Sequence, residues 1–338
     1  MNKIISIIIP TFNMEEYLPR CLASLVADEK DTRTEAIIVN DGSNDKSINI
    51  AKEFAEKYPG TFRIIDKPNG NYGSCINAAL KVATGKYIKI LDADDCFDAE
   101  CFNEFKNLLE NTDADLVLND YIKVMDGGTK AYMMKYPAGR VFDFLKEGTE
   151  RAFISIMMHN VTYRRSIFES INYRQSEGIF YTDNEWTFMP MTGVKKAYYF
   201  SKPIYRYTIG REGQSVSNEV IIRHIHDETA LSTKMLRDYN LTAGAPEEIR
   251  RLMFVKLYHH VRWLYKLVIV KTRNADSSIL DELDGVIEKE CPELYEKLDR
   301  KWLSPPLFCV RYIRLWRNNH NSKTLKRIIR SYQWFKQL

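Results

Sequence analysis

The sequence predicts an α/β protein, a mostly parallel sheet with helices on both faces, followed by an appended helical C-terminal region. Three observations predict it. Short β-branched runs alternate with helical periods through the first 125 residues, the pattern of a parallel sheet built by crossovers. Several of these runs end in polar turns, and right-handed crossovers bring such strand ends to one edge of the sheet, where open α/β sheets bind ligands. Beyond Val220 the hydrophobic period is almost entirely helical.

Taken in order, residues 4–9 form the first strand, and residues 14–27 read as a helix with Glu15 and Glu16 in a first turn that favours acids. A buried-type strand at 36–39 ends in Asn40-Asp41-Gly42-Ser43, and Ser43 or Asn44 can cap a helix over 46–58. A strand at 62–65 precedes a Pro/Asn/Gly loop and a helix over 74–83. The strand at 87–91 ends in Asp92-Ala93-Asp94-Asp95, and a helix over 99–110 leads to a strand at 116–124. The pattern then loosens: a turn at Asp126-Gly127-Gly128, a helix over 147–158, and short strands at 162–167, 197–200 and 204–207. Helical breaks fall near Gly244-Ala245-Pro246, at 274–278 and at Ser304-Pro305-Pro306. The expected division is a catalytic α/β domain over 1–215 and a helical region over 216–338.

Composition narrows the class. The chain of 338 residues has enough apolar content for a core without staples. Six cysteines without CxxC spacing point to free thiols in a reducing compartment rather than a zinc site. No basic segment with a long apolar run opens the chain and no run approaches the length of a membrane span, so a cytoplasmic protein is expected. The formal charge is +4, yet residues 301–338 hold nine Lys or Arg and no acid, which leaves the first 300 residues at −5. An acidic body argues against nucleic acid as a partner.

Asp92-Ala93-Asp94-Asp95 is the sharpest chemical feature. Carboxylates this close repel one another, and a divalent cation with a taste for hard oxygen, Mg2+ or Mn2+, relieves the conflict and bridges phosphates. Read alone, the stretch is equally a solvated helix-capping turn. Asp41 beside Gly42 can accept a hydrogen bond from a base or ribose, and Phe12 in Pro10-Thr11-Phe12-Asn13 can cover a planar base. Each has an ordinary turn reading by itself; their meeting at one sheet edge is what singles them out.

Three stretches, Ser6-Ile7-Ile8-Ile9-Pro10-Thr11-Phe12-Asn13, Val39-Asn40-Asp41-Gly42-Ser43-Asn44-Asp45 and Ala83-Thr84-Gly85-Lys86-Tyr87-Ile88-Lys89-Ile90-Leu91-Asp92-Ala93-Asp94-Asp95, together resemble the family 2 glycosyltransferases of the GT-A fold. The resemblance covers the first 125 residues and, more thinly, reaches residue 215. It implies a Rossmann-like GT-A domain and inverting sugar transfer from a nucleoside-diphosphate sugar, with a UDP-linked hexose or N-acetylhexosamine as donor. Pro10, Thr11, Phe12, Asn13, Asp41, Gly42, Asn77, Asp92, Ala93 and Arg211 are the implied donor-binding residues. Asp94 is the implied principal metal ligand, flanked by Asp92 and Asp95. Asp183 matches the family's catalytic base, with Thr182 where a first acid is usual and Glu185 as alternative base. In the bland reading of this stretch, Asp183 and Glu185 serve a helix start. Ile76 stands where relatives carry Arg, so a diphosphate contact is expected from Lys67, Arg206 or Arg211.

The resemblance also implies a saccharide or lipid-linked saccharide acceptor in surface polysaccharide assembly. The histidines lack convincing metal spacing, and His159, which can approach the acceptor site, reads as structural. The tail over 304–338 is basic and amphipathic: it is either a helix pair with solvated basic faces or an adhesive for an anionic membrane at its inner face. Two other functions stay open. One is a non-catalytic nucleotide-sugar-binding or membrane-scaffolding protein; the other is a sugar-nucleotide nucleotidyltransferase, which the lack of a glycine-rich loop after the first strand disfavours.

Overall fold

The computed structural model describes residues 3–28, 31–211, 214, 218–271, 277–303, 310–320 and 322–337, with backbone alone at 218 and 334–337. The tail residues Ser304, Pro305, Pro306, Leu307 and Phe308, the side chain of Phe335, and most of the break at 274–278 lie outside this description. The chain forms two compact units, Met1–Gln214 and Ser215–Leu338.

In the first unit the strands are β1 (Ile5–Thr11), β2 (Thr34–Asp41), β3 (Phe62–Lys67), β4 (Tyr87–Ile90), β5 (Cys96–Phe97), β6 (Leu116–Met125), β7 (Gly128–Tyr132), β8 (Val141–Asp143), β9 (Val161–Arg164) and β10 (Lys196–Thr208). They form one sheet in the order β3-β2-β1-β4-β9-β6-β10-β5, with β7 on β6 and β8 on β10. The β3-β2-β1-β4 half is parallel throughout, whereas β9 runs antiparallel between β4 and β6. In β1, the consecutive residues Ile7, Ile8 and Ile9 are all fully buried. Side chains alternate between faces, so both faces of this strand are covered.

The intervening helices are α1 (Leu18–Ala23), α2 (Ser47–Lys57), α3 (Asn71–Leu80), α4 (Ala99–Asn111), α5 (Phe144–Glu147), α6 (Glu150–Ser155), α7 (Ser166–Ser170) and α8 (Asp183–Trp186). Four local expectations are corrected. The helix expected over 14–27 is only α1, because Glu15 leaves the helix to accept the Lys46 N–H. Asp45, not Ser43 or Asn44, takes the Ser47 N–H at the start of α2; Ser43 accepts the Asn13 N–H instead. The helix expected over 147–158 is split at Gly148 into α5 and α6. The two short strands at 197–200 and 204–207 are one strand, β10, whose register shifts around Pro203, where no N–H is available for the ladder.

The second unit holds α9 (Asn218–Arg223), α10 (Ile225–Leu241), α11 (Glu247–Lys266), α12 (Asp281–Glu290), α13 (Pro292–Asp299), α14 (Tyr312–Asn318) and α15 (Lys323–Gln337). Arg317 of α14 is its buried anchor: it donates to Asp284 at 2.7 Å and lies 3.5 Å from the Tyr295 ring centroid. Leu325 and Tyr332 of α15 are buried, while Lys323, Lys326, Arg327 and Arg330 are exposed. Among the described residues no helix is long and apolar enough to cross a membrane.

Candidate active site

Strand register lines up the first three loops. Ile8 pairs with Ile90 and Thr11 with Asn40. Counting on, Pro10 stands level with Asp92 and Phe12 level with Asp41. The β1 and β2 loops are then stitched together: Asn13 N–H donates to Ser43 at 3.0 Å, Met14 N–H to Ser47 at 2.8 Å, and Asn44 N–H to the Asn13 side chain at 2.9 Å. Asn13 adopts φ 54°, a left-handed conformation that Asn tolerates. Gly42 has φ 73°, and a Cβ there would come within 3.0 Å of the Asn69 backbone. Phe12 is 44% exposed, a free aromatic face beside Asp41.

Asp41 is buried, and its Oδ1 accepts both the Lys67 ammonium and the Gly70 N–H, while the Cys75 thiol lies within hydrogen-bonding reach of the same carboxylate. Lys67 is thereby committed to Asp41, and Arg206 faces Asp98 at 3.6 Å. Of the three cations expected to stand in for the missing Arg, only Arg211 reaches the acid motif, with Nε 2.5 Å from Asp94 Oδ2. Ile76, at the family's Arg position, is fully buried.

The acid motif is strongly perturbed. Burial and the neighbouring Asp94 push Asp92 up to about 7, while the Tyr72 hydroxyl donates to its Oδ1 at 2.9 Å. Asp95 is fully buried and pushed well above the carboxylate range by burial and by Asp92 and Asp94. It accepts the Tyr205 hydroxyl at 2.8 Å and the Thr208 N–H at 2.7 Å. Arg20 donates to the Asp94 carbonyl at 2.7 Å and to Thr208 at 2.9 Å, tying this loop to β10. Below it, Lys89 is fully buried on β4, held by Asn119 at 3.0 Å and the carbonyls of His159 and Val161.

Asp183 opens α8 behind Tyr181, which sits at φ 63°, an unfavourable conformation for a bulky side chain. Burial pushes the Asp183 carboxyl up to about 6. Its charge is felt at Asp92, Tyr72 and Tyr207, so it shares a site with the acid motif. Glu185 is fully buried and accepts the Ser176 N–H at 3.2 Å, an interior anchor rather than a group facing a substrate. Thr182 is anchored in the same interior, where Gln175 donates to its carbonyl at 2.9 Å and to its hydroxyl at 3.0 Å. Asn77, expected at the donor, is engaged elsewhere. Its Nδ2 donates to the Gln175 carbonyl and to Glu177, each at 2.8 Å, and its Oδ1 accepts the Gln175 N–H at 2.9 Å. With the amide so occupied, Asn77 fixes the segment leading to Asp183.

Tyr72, Tyr205 and Arg20 were not legible as site residues, and His159, read as structural though able to approach the acceptor site, packs beside the acid motif. Nothing in the local pattern marks them, since each is brought in by pairing or packing from a distant stretch. A divalent cation fits the cluster: the donors are hard carboxylate oxygens, their mutual repulsion and burial raise two of them, and Asp94 already attracts a guanidinium. Asp94, with Asp92 and Asp95 beside it, would hold that ion.

The parallel half-sheet gathers a buried aspartate, an exposed aromatic and an acid motif at its strand-end loops, the layout of a nucleotide-binding α/β domain. Comparison with known proteins gives the family: residues 6–171 match the model described as glycosyl transferase family 2, and this part of the chain belongs to that family. The chain is 29% identical over 255 residues to the uncharacterized glycosyltransferase YibD of Escherichia coli, covering 70% of this chain and 72% of YibD. Its fold resembles the crystal structure of S. aureus TarS residues 1–349 in complex with UDP-GlcNAc, with TM-score 0.57, 19% identity, and coverage of 87% of this chain and 91% of that one. It also resembles the mannosyltransferase PcManGT of Pyrobaculum calidifontis in complex with GDP-Man and Mn2+, with TM-score 0.51, 14% identity, and coverage of 96% and 84%. These structural likenesses establish the GT-A fold.

Proposed function

We propose that this glycosyltransferase moves a hexose or N-acetylhexosamine, with inversion, from a UDP-linked donor to a hydroxyl of a saccharide or lipid-linked saccharide in surface polysaccharide assembly. The carrying observation is one shared site. Asp183, poised at about 6, lies within electrostatic reach of Asp92 on the same rim as Asp41 and Phe12. Asp41 at the end of β2 is placed to read a donor group of the base, and the exposed Phe12 offers a stacking face. Arg211 is close enough to the acid motif to move from Asp94 onto a diphosphate. Once deprotonated, Asp183 takes the proton from the attacking hydroxyl, and a carboxyl tuned near 6 is an effective base at neutral pH. A bound divalent cation supplies charge neutralisation on the departing diphosphate. Tyr72 and Tyr205 orient Asp92 and Asp95 by hydrogen bonds.

A saccharide acceptor finds an aromatic wall next to these acids. Tyr207 stacks on His159 with centroids 4.3 Å apart, Tyr121 stacks on Tyr132 at 4.9 Å, and Lys123 lies over both Tyr132 and Tyr207. Sugar C–H faces pack on such rings. The exposed basic side of α15 supports adhesion of this cytoplasmic enzyme to an anionic inner membrane face, close to a lipid-linked acceptor.

The test separates base from cation site. A screen of nucleotide sugars for metal-dependent hydrolysis finds the donor. With it, Asp183→Asn is expected to lower transfer by about 10²–10⁴-fold while metal–nucleotide binding stays near wild type. Asp94→Ala is expected to lose that binding. Transfer at the wild-type rate by Asp183→Asn would discard the assigned base.

A further inference from the structure

The aspartate motif has one further neighbour with a nitrogen donor, His159. His159 stands in the turn Met158–Asn160 that leads into β9, and it is only 6% exposed. Its ring stacks on Tyr207 and meets Tyr205 edge-on with centroids 4.7 Å apart. Its backbone is pinned as well, since the His159 carbonyl accepts from Lys89 at 2.9 Å and from Asn119 at 3.0 Å. Yet its buried Nδ1 has no hydrogen-bond partner among the described residues. A fold that fixes a ring on three sides and leaves a buried nitrogen unsatisfied calls for an explanation.

The surroundings supply one. A ring nitrogen of His159 and one carboxylate oxygen each of Asp92 and Asp95 all lie within 4.8 Å of one another. Ligand atoms around a first-row divalent ion sit about 2.0–2.2 Å from it, so that donor atoms are about 3 Å apart. A bound ion would draw these donor atoms together, in competition with the Tyr205 and Thr208 hydrogen bonds to Asp95.

We propose that His159 is a nitrogen ligand of the divalent cation held by the aspartate motif, and that it turns the site toward Mn2+ over Mg2+. The proposal rests on the cation-assisted reading of the preceding section. The selectivity follows from ligand chemistry: Mg2+ demands a near-ideal octahedron of oxygens, whereas imidazole binds later divalent metals more readily.

Mn2+ added to the full-length protein, with and without UDP, tests it by pulsed electron paramagnetic resonance. The wild type is expected to show a directly coordinated nitrogen whose coupling changes when its histidines carry 15N; this measurement needs no variant. His159→Gln is expected to lose that coupling and at least about tenfold in Mn2+ affinity, with Mg2+ affinity nearly unchanged. Bound Mn2+ with oxygen ligands only, or a nitrogen coupling that survives in His159→Gln, overturns the assignment and leaves the cation site standing. No Mn2+ binding to the wild type, with or without UDP, overturns the cation site itself.

Discussion

Asp92 and Asp183 are acids held near neutrality by burial, at about 7 and about 6. Two pH dependences follow, with opposite signs. With Asp183 as the proposed base, transfer needs it ionised, so the rate is expected to fall as pH drops through about 6, which a pH–rate profile checks. Stability runs the other way. An unfolded Asp titrates near ~3.9, so between about 4 and about 7 the folded protein holds protons that the unfolded chain has released. Stability from these groups is therefore complete below about 4 and is lost as pH rises through about 7. In metal-free buffer the melting temperature is expected to fall from pH 5 to pH 8. Asp92→Asn, which cannot ionise, is expected to flatten that fall and to melt higher than wild type at pH 8. A steeper fall in Asp92→Asn would contradict the assigned shift.

The step from side chains to elements runs through α3. A Cβ at Gly73 would meet the Ser176 carbonyl at 1.8 Å, so α3 lies directly against the segment that Asn77 holds through Gln175 and Glu177. Gln175 in turn grips Thr182, the neighbour of Asp183. Helix, segment and Asp183 thus form one mechanical chain. Asn77→Ala is expected to leave the donor KM near wild type and to lower kcat by about a hundredfold, the cost of a misplaced group. Steady-state kinetics with varied donor decides it: a raised donor KM with unchanged kcat would return Asn77 to the donor pocket. Much of this level was readable in the sequence. The β-branched runs of β1, β2 and β4 and their polar ends needed only local pattern. The antiparallel insertion of β9 did not, because four residues carry no signal for which neighbours they pair with. The roles of Asn77 and Glu185 were equally hidden: a residue's type names the hydrogen bonds it can make, and packing alone chooses among them.

The whole chain joins an acidic rim in one unit to a basic helix in the other. Four exposed cations on α15, Lys323, Lys326, Arg327 and Arg330, sit opposite the buried Leu325 and Tyr332. Each cation at an anionic surface contributes about 1 kcal/mol, enough together for reversible adhesion. Removing the tail would also remove Trp316 and the Arg317–Asp284 pair from the interior of the unit, so charge reversal is the cleaner test. Wild type is expected to float with phosphatidylglycerol vesicles at low salt, and the quadruple change of these residues to Glu is expected to sediment with its helical content intact. Equal flotation of both would remove the membrane reading. By itself the sequence determined the strand–helix alternation, the three loop motifs and the acid cluster, because hydrophobic period and adjacent residues are local properties. Tertiary structure alone decided that Asp183 lies within electrostatic reach of Asp92, that Lys67 and Asn77 are committed to other partners, and that Tyr72 and Tyr205 hold Asp92 and Asp95 by hydrogen bonds. Burial, pKa and proximity arise only when segments far apart in the chain exclude water from a common space.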